Sequence, residues 1–291
     1  MTGYELVDMF TDEPFAGSPL GVVPDAGSLS TQAMQAIAAE LDATETVFVL
    51  PASSPRANYR VRVFTPIAES PFGGHSSVGT AATLVRLGIL GAGPVLQECG
   101  PALQPLMAGN GQATMIGQAA VVEKDLDTET VLGITGLSSA DLSGKPGAAG
   151  FGAPFAFLPV RPAALAGLRI DEGKLAEAGL PALCVFSWQP ASRTARARVF
   201  APGFGIPEDP ACAPIGLALG AWLAGAGLLT GDGYHGYTIH QGAETGRPAI
   251  LTGTVTVRGG RVSEGTVTGR VAPVASGSLT IPPAQPVPIK E

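Results

Sequence analysis

Two short turns carry the residues best suited to chemistry. PFGGHSSVGTA (71–81) holds His75 among glycines and serines, and PEDPACAPIGLA (207–218) holds Asp209 and Cys212. Each leads into an apolar stretch, 80–87 and 215–224, that reads as a buried helix because it is apolar nearly all round. His75 is of the type best suited to proton transfer near neutral pH, although a lone histidine is more often a structural hydrogen-bonder. Asp209 sits where an acid usually answers the helix dipole. Ser76 and Ser77 read equally well as plain caps, and Asp209-Pro210 as a plain turn. What distinguishes the two turns is that they match. A helix start carries about half a positive charge and up to four unpaired N–H groups. Two such starts meeting would form an anion site without Lys or Arg, and neither turn contains one.

A third candidate is Glu45 in ATETVFVLP (43–51), after a predicted helix and before a predicted strand. From the residues alone, its ordinary reading is an exposed carboxylate at a strand end. The functional alternative is a carboxyl lodged beside Val47 and Phe48, with a raised pKa, acting as general acid and base. His235 and His240 have no comparable context and read as structural.

These turns belong to an internal duplication. RVRVFTP (60–66) returns as RARVFAP (196–202), 136 residues on, and Pro71 falls opposite Pro207. One further residue sets Gly79 opposite Gly216, and two more set Gly88-Ile89-Leu90 opposite Gly227-Leu228-Leu229. Upstream, TQAMQAIAAEL (31–41) leads to VFVLP (47–51), as DEGKLAEAGL (171–180) leads to CVFSW (184–188). Each half therefore reads strand, helix, strand, strand, turn, buried helix, more strands. The period is far above the ~20–50 residues of solenoids, so it marks a duplicated domain. The expected division is 1–128 and 129–291, with a cleft between the halves as the default ligand site. TVTVR, Gly259-Gly260 and RVSEGTVTG read as a two-residue hairpin. The tail PPAQPVPIK (282–290) is too rich in proline for a helix and is available to return as an extended cover on the first lobe.

Composition excludes several classes. The 291 residues are 45% apolar but only 14% charged, and 40 Gly and 26 Pro are scattered among apolar runs. That pattern suggests tight turns in a well-filled core rather than disorder. Net charge is −7, with 17 Lys and Arg and no basic cluster, which argues against nucleic acid and against an anionic membrane surface. Cys99, Cys184 and Cys212 share no metal or disulfide spacing. The N-terminus does not read as a signal peptide, so the expected compartment is the cytoplasm. The uncharged run 211–231 is long enough to span a bilayer, but Pro214 and its many glycines favour a buried helix. No HExxH, P-loop or strand-linked GxGxxG is present, so no metal or organic cofactor is expected.

Several of these stretches together resemble the phenazine-biosynthesis F-type isomerase family, which shares the diaminopimelate epimerase fold. VDMFTDEPFAGSPLGVV (7–23), Thr-Glu-Thr (44–46), RVFTP with the first turn, FAPGFGIPEDPACAP with the second and QGAETGRPAIL (241–251) occur in the family's order. The resemblance implies an α+β fold of two similar lobes, each a mostly antiparallel, barrel-like sheet around a central helix. It implies a cofactor-independent proton shift along an unsaturated, cyclic, amino-acid-like carboxylate such as a pyrroline or dihydroaromatic acid. It also implies a homodimer working in specialised, antibiotic-type metabolism. Glu45 then matches the proton carrier and His75 and Asp209 its polar partners. Thr44, Gly73, Gly74, Ser76, Ala211, Cys212 and Ala213 match the substrate-binding positions. The sequence departs from the family at Cys212-Ala213-Pro214, where Thr, Gly and Ser are usual, and at Ser18, where Asn is usual. A two-thiol racemase of this fold is the alternative, but the position matching Cys212 is read as Gly74, leaving one thiol alone. A non-catalytic binder is the other.

Overall fold

A computed structural model describes residues 1–71, 73–123 and 126–281; the proline-rich tail at 282–290 lies outside them. The first half runs β1 (Thr2–Met9), β2 (Ser18–Val23), α1 (Thr31–Leu41), β3 (Glu45–Leu50), β4 (Tyr59–Phe64), β5 (Glu69–Ser70), α2 (Ser76–Arg86), β6 (Gly93–Cys99), β7 (Ala102–Gly109), β8 (Gln112–Gln118) and β9 (Val121–Glu123). The second runs α3 (Thr128–Thr135), β10 (Gly147–Gly150), β11 (Phe155–Pro159), α4 (Glu172–Glu177), β12 (Leu183–Gln189), β13 (Thr194–Ala201), β14 (Ile206–Asp209), α5 (Ala213–Gly225), β15 (Gly233–Gln241), β16 (Ala249–Arg258) and β17 (Arg261–Leu279).

Strand pairing repeats between the halves. β1–β2 is antiparallel, β2–β3 parallel, β3–β4 antiparallel, β4–β6 parallel, and β6–β7–β8 antiparallel. The second half follows the same order through β10–β11, β11–β12, β12–β13, β13–β15 and β15–β16–β17. Neither sheet closes with its own strands. The end of β17 crosses to pair with β1, from Thr2↔Leu279 to Met9↔Val271, and β9 crosses to pair with β10. β8 and β17 also pair with each other. The halves thus close by exchanging their last strands, which removes the open edges that a sheet would otherwise expose. The protein is an α+β duplication of two barrel-like sheets, each wrapped around one helix.

The alternation in the repeated motif explains the layers. In β4, Val61 and Val63 face α2 inside the barrel, while Phe64 joins Phe48, Met34 and Ile37 under α1 on the outside. In β13, Ala197 and Val199 face inward, and Phe200 joins Val131 and Leu175 under α3 and α4. The central helices begin earlier than the pattern suggests, at Ser76 rather than 80 and at Ala213 rather than 215. Residues that favour turns are carried into the first helical turn by burial. Ser77 returns its hydroxyl to the Gly73 carbonyl at 2.8 Å, and Pro214 occupies a first-turn position whose missing N–H costs the helix nothing. Ser76 is not the cap; His75 is.

Gly79 and Gly216 hold the same place, four residues into each helix. A Cβ on Gly79 would meet Leu20 at 2.5 Å, and one on Gly216 would meet Leu251 at 2.9 Å. Helix and sheet therefore approach more closely than any side chain allows. The two helices also end alike. Gly88 and Gly227 take φ of 70° and 73°, and the bonds Ile89 N–H to Leu84 and Leu228 N–H to Leu223 are both 2.9 Å. The run 211–231 is not a span: α5 stops at Gly225, about 20 Å after its start. Among the described residues no helix is long and apolar enough to cross a membrane. The Gly259-Gly260 hairpin forms as read, both residues at positive φ.

Candidate active site

Period-two alternation along β3 puts Glu45 on the same face as Val47 and Val49, which pack toward α2 inside the barrel. The carboxyl therefore points at the start of α2 rather than at solvent and is only 6% exposed. This overturns the ordinary reading of an exposed strand-end carboxylate. His75, the residue before α2, presents Nε2 to Glu45 Oε2 at 3.6 Å and Nδ1 to Asp209 Oδ2 at 3.8 Å. Asp209 comes from the end of β14 in the other half, so the imidazole lies between carboxylates contributed by the two halves. The turns meet directly: a Cβ on Gly74 would lie 3.3 Å from Pro214 Cγ.

Glu45, Gly74, His75, Asp209, Cys212 and Pro214 line one cleft of about 420 Å³. Its remaining wall is largely apolar, with Ile67 and Phe155 among its residues, and no Lys or Arg is among the described lining residues. Larger hollows of about 630 and 710 Å³ open elsewhere, but neither brings buried ionisable side chains together. Thr44, Gly73, Ser76, Ala211 and Ala213 are not among the lining residues. Arg62, Arg198 and Arg247 are each committed to protein carboxylates.

The electrostatics follow from burial. Desolvation raises the Glu45 pKa above 4.5 and outweighs the opposing pull of His75. For His75, burial alone would lower the pKa, but the Asp209 and Glu45 carboxylates outweigh it and the net shift is upward from 6.5. The Cys212 thiol is pushed well above 9.0 by desolvation and by Asp209, which keeps it protonated and a poor nucleophile or metal ligand. Ligand-type atoms of His75, Asp209 and Cys212 do lie within 4.8 Å of one another, but burial favours the neutral thiol and the flanking carboxylates favour the protonated imidazole, and neither form coordinates a cation. Glu45 Oε2 and His75 Nε2 are buried with no hydrogen-bond partner. Buried polar atoms are rarely left so, and both of these residues line the cleft, where a ligand would satisfy them.

The backbone donors are more committed than the turns alone suggest. Ala211 N–H donates to Asp209 Oδ1 at 3.0 Å and Cys212 N–H to Gln241 Oε1 at 3.5 Å. The thiol of Cys99 lies against Gly73 of the first turn although it is remote in sequence. A bound anion must compete with these partners in the second turn, and Pro214 supplies no N–H there. Two glutamines that sequence reasoning passed over secure the turns from behind. Gln97 donates to Ser77 Oγ at 2.7 Å, and Gln241 donates to the Asp209 carbonyl at 2.6 Å. Each ends or nearly ends the strand that follows its central helix. Their polarity in an otherwise apolar strand face was the available signal.

The site is asymmetric despite the duplication. Thr46 pairs with Phe64 and Leu183 with Phe200, the counterpart of Phe64, so Ala182 stands where Glu45 stands. Counted from the helix starts, His75 and not Gly74 occupies the position of Cys212. The two helix starts, Ser76 and Ala213, set this offset, and it sends Cys212 to His75. No second thiol faces Cys212 among the described cleft residues. Cys212→Ser is accordingly expected to keep turnover within roughly tenfold of the parent, a barrier change of about 1.4 kcal/mol. A dead variant that binds ligand normally would give the thiol a catalytic role. His235 Nε2 donates to the Gly231 carbonyl at 2.8 Å, and His240 is exposed; neither approaches the cleft.

The fold and this cleft define an epimerase-type isomerase scaffold. Comparison with known proteins agrees: residues 7–277 match the family described as phenazine biosynthesis-like protein, and the chain belongs to that family. An uncharacterized isomerase of Mesorhizobium japonicum is 34% identical over 96% of this chain and 98% of its own. The trans-2,3-dihydro-3-hydroxyanthranilate isomerase of Pseudomonas chlororaphis is 30% identical over 97% of this chain and all of its own. The crystal structure of a PhzF-family phenazine biosynthesis protein from Bacillus anthracis superposes with a TM-score of 0.84, at 24% identity over 96% of this chain and 99% of that one. A probable proline racemase from Agrobacterium radiobacter shares the fold at TM-score 0.66 and 15% identity, over 98% and 95% of the chains. The protein is an isomerase of the PhzF type acting on a small molecule.

Proposed function

We propose that the cleft catalyses a cofactor-independent proton shift along an allylic system in an unsaturated, cyclic, amino-acid-like carboxylate. Glu45 takes a proton from one carbon and returns it at another. The observation that carries this reading is the Glu45 carboxyl itself: buried, raised in pKa, unpartnered at Oε2 and 3.6 Å from His75. A single carboxyl of this kind serves as both base and acid. His75, whose protonated form Asp209 favours, opposes the negative charge that develops when the carbon loses its proton. The start of α2 adds its partial positive charge, and the apolar walls keep water out and strengthen both effects. The named substrate of the Pseudomonas relative is the first compound to test. Incubation in deuterium oxide, followed by proton NMR, should show a rearranged double bond with the transferred hydrogen partly replaced. A ligand that binds and neither rearranges nor exchanges would leave only a binding role.

Turnover should survive exhaustive dialysis against chelator. Loss of turnover that one metal ion restores would overturn the cofactor-independent reading.

The pH profile follows from the signs of the shifts. Glu45 must be ionised to act, so the rising limb lies above the usual carboxylate range. His75 must be protonated, so the falling limb lies above 6.5. Asp209 is the larger of the two charges raising His75, so Asp209→Asn should bring the falling limb to lower pH. For stability, the raised His75 contributes in full below 6.5 and its contribution is lost as pH climbs through the folded value. An unmoved falling limb in Asp209→Asn would detach it from His75.

A further inference from the structure

The segment from Gln241 to Pro248, between β15 and β16, makes no catalytic contact by the reading above, yet it touches everything that must stay in register. On the side of the second half, Gln241 is 4% exposed. It donates to the Asp209 carbonyl at 2.6 Å and accepts from the Cys212 N–H at 3.5 Å. Glu244 pairs with Arg196 of β13. Gly242, at φ 76°, packs so near the Pro210 carbonyl that a Cβ there would lie 2.7 Å from it. The segment is drawn tight on itself by Arg247 N–H to the Gly242 carbonyl at 3.0 Å and by Thr245 Oγ to the same carbonyl at 2.9 Å.

On the other side, Arg247 reaches into the first half. Its guanidinium pairs with Asp8 of β1, and it donates to the Gly17 carbonyl at 2.7 Å and to the Ala16 carbonyl at 3.2 Å. Asp8 is 2% exposed, and its second oxygen takes the Phe15 N–H at 2.6 Å. Gly17 N–H donates back to the Pro248 carbonyl at 2.9 Å. Asp8 is held through both oxygens, by the guanidinium on one and the Phe15 N–H on the other, and the strand it sits on pairs directly with β2, whose Leu20 pairs with Glu45. The backbone path from Glu45 to Asp209 across the halves thus runs β3, β2, β1, Asp8, Arg247, Gln241, Asp209.

We propose that this segment is the strap that sets the two carboxylates against His75, with Asp8, Gln241 and Arg247 as positioning residues. The inference rests on the proposed function only in taking Glu45 and Asp209 as the working carboxylates. A fork donor fixes orientation as well as distance, so Lys in place of Arg247 keeps a charge for Asp8 but releases Gly17 and Ala16. Catalytic geometry tolerates little slack.

The test reads His75 directly, without substrate. The ionisable groups facing its ring are Glu45 on β3, Asp209 at the second turn and the neutral Cys212 thiol at the start of α5. NMR titration of the His75 ring is compared in wild type, Arg247→Lys, Gln241→Leu and, as control, Arg86→Lys, which alters the Arg86–Glu5 pair within the first half. Circular dichroism confirms that each variant is folded. Arg247→Lys and Gln241→Leu are each expected to lower the His75 pKa by roughly half a unit or more as Asp209 moves away, with Arg86→Lys unchanged. Titration at the wild-type value in folded Arg247→Lys overturns the strap. If that variant does not fold, Asp8→Asn, which keeps the shape of the side chain, takes its place under the same criterion. Should Glu45→Gln prove fully active, the proposed function fails while this titration result stands.

Discussion

Glu45→Gln is expected to lower turnover by about 10²–10⁴-fold, the usual cost of losing a general acid and base. The substitution keeps the shape of the side chain and its place between Leu20 and α2, so packing and fold should be unchanged. What is lost is the ability to accept a proton from one carbon and give it to another. Removing the carboxyl also removes one of the two charges that raise His75. The residual activity should therefore show a falling pH limb at lower pH than the parent. Steady-state turnover and the pH profile, measured on protein with an unchanged melting temperature, check both parts. Near-parental turnover would show that Glu45 is not the proton carrier.

The second large effect is on stability, and it separates two residues that the sequence presents as equals. Arg62 and Arg198 hold the same position in the repeated motif. Each stacks on the phenylalanine two residues on, at 5.1 and 5.0 Å, and each forks to a glutamate. Their surroundings differ. The Arg62–Glu69 pair is 28% and 41% exposed, whereas the Arg198–Glu208 pair is 8% and 19% exposed. Arg198 also donates to the Leu165 and Leu168 carbonyls at 3.0 and 2.7 Å. Arg198→Ala therefore leaves a partly buried carboxylate and two carbonyls without their donor, and the expected loss is about 1–3 kcal/mol. Arg62→Ala breaks a pair that water can replace, and about 0–1 kcal/mol is expected. Urea unfolding of the two variants side by side gives the comparison. Equal losses would mean that burial does not govern the motif.

That difference marks how far the sequence could be read. Hydrophobic period, paired glycines and the recurrence of RVRVF as RARVF determined that the chain is a duplication with a buried helix in each half, because those signals are local and each half repeats them. The turns at 71–81 and 207–218 were legible for the same reason, and so was the glycine hairpin. The family resemblance placed Glu45, His75 and Asp209 together from their motifs alone. Other properties depend on residues far apart in the chain, and no local pattern encodes them. The exchange of β9 and β17 between the halves is one. Another is the burial of Glu45, whose strand-end position reads as exposed until α2 is packed beneath it. Cys99 against Gly73 and Arg247 on Asp8 are others, joining segments 26 and 239 residues apart. The sequence by itself determined which residue types stand at the helix starts. Only the tertiary structure decided which backbone donors are already engaged, which arginines are spent on carboxylates, and which carboxyl is dry enough to carry a proton, because desolvation is a property of the packed interior and not of the chain.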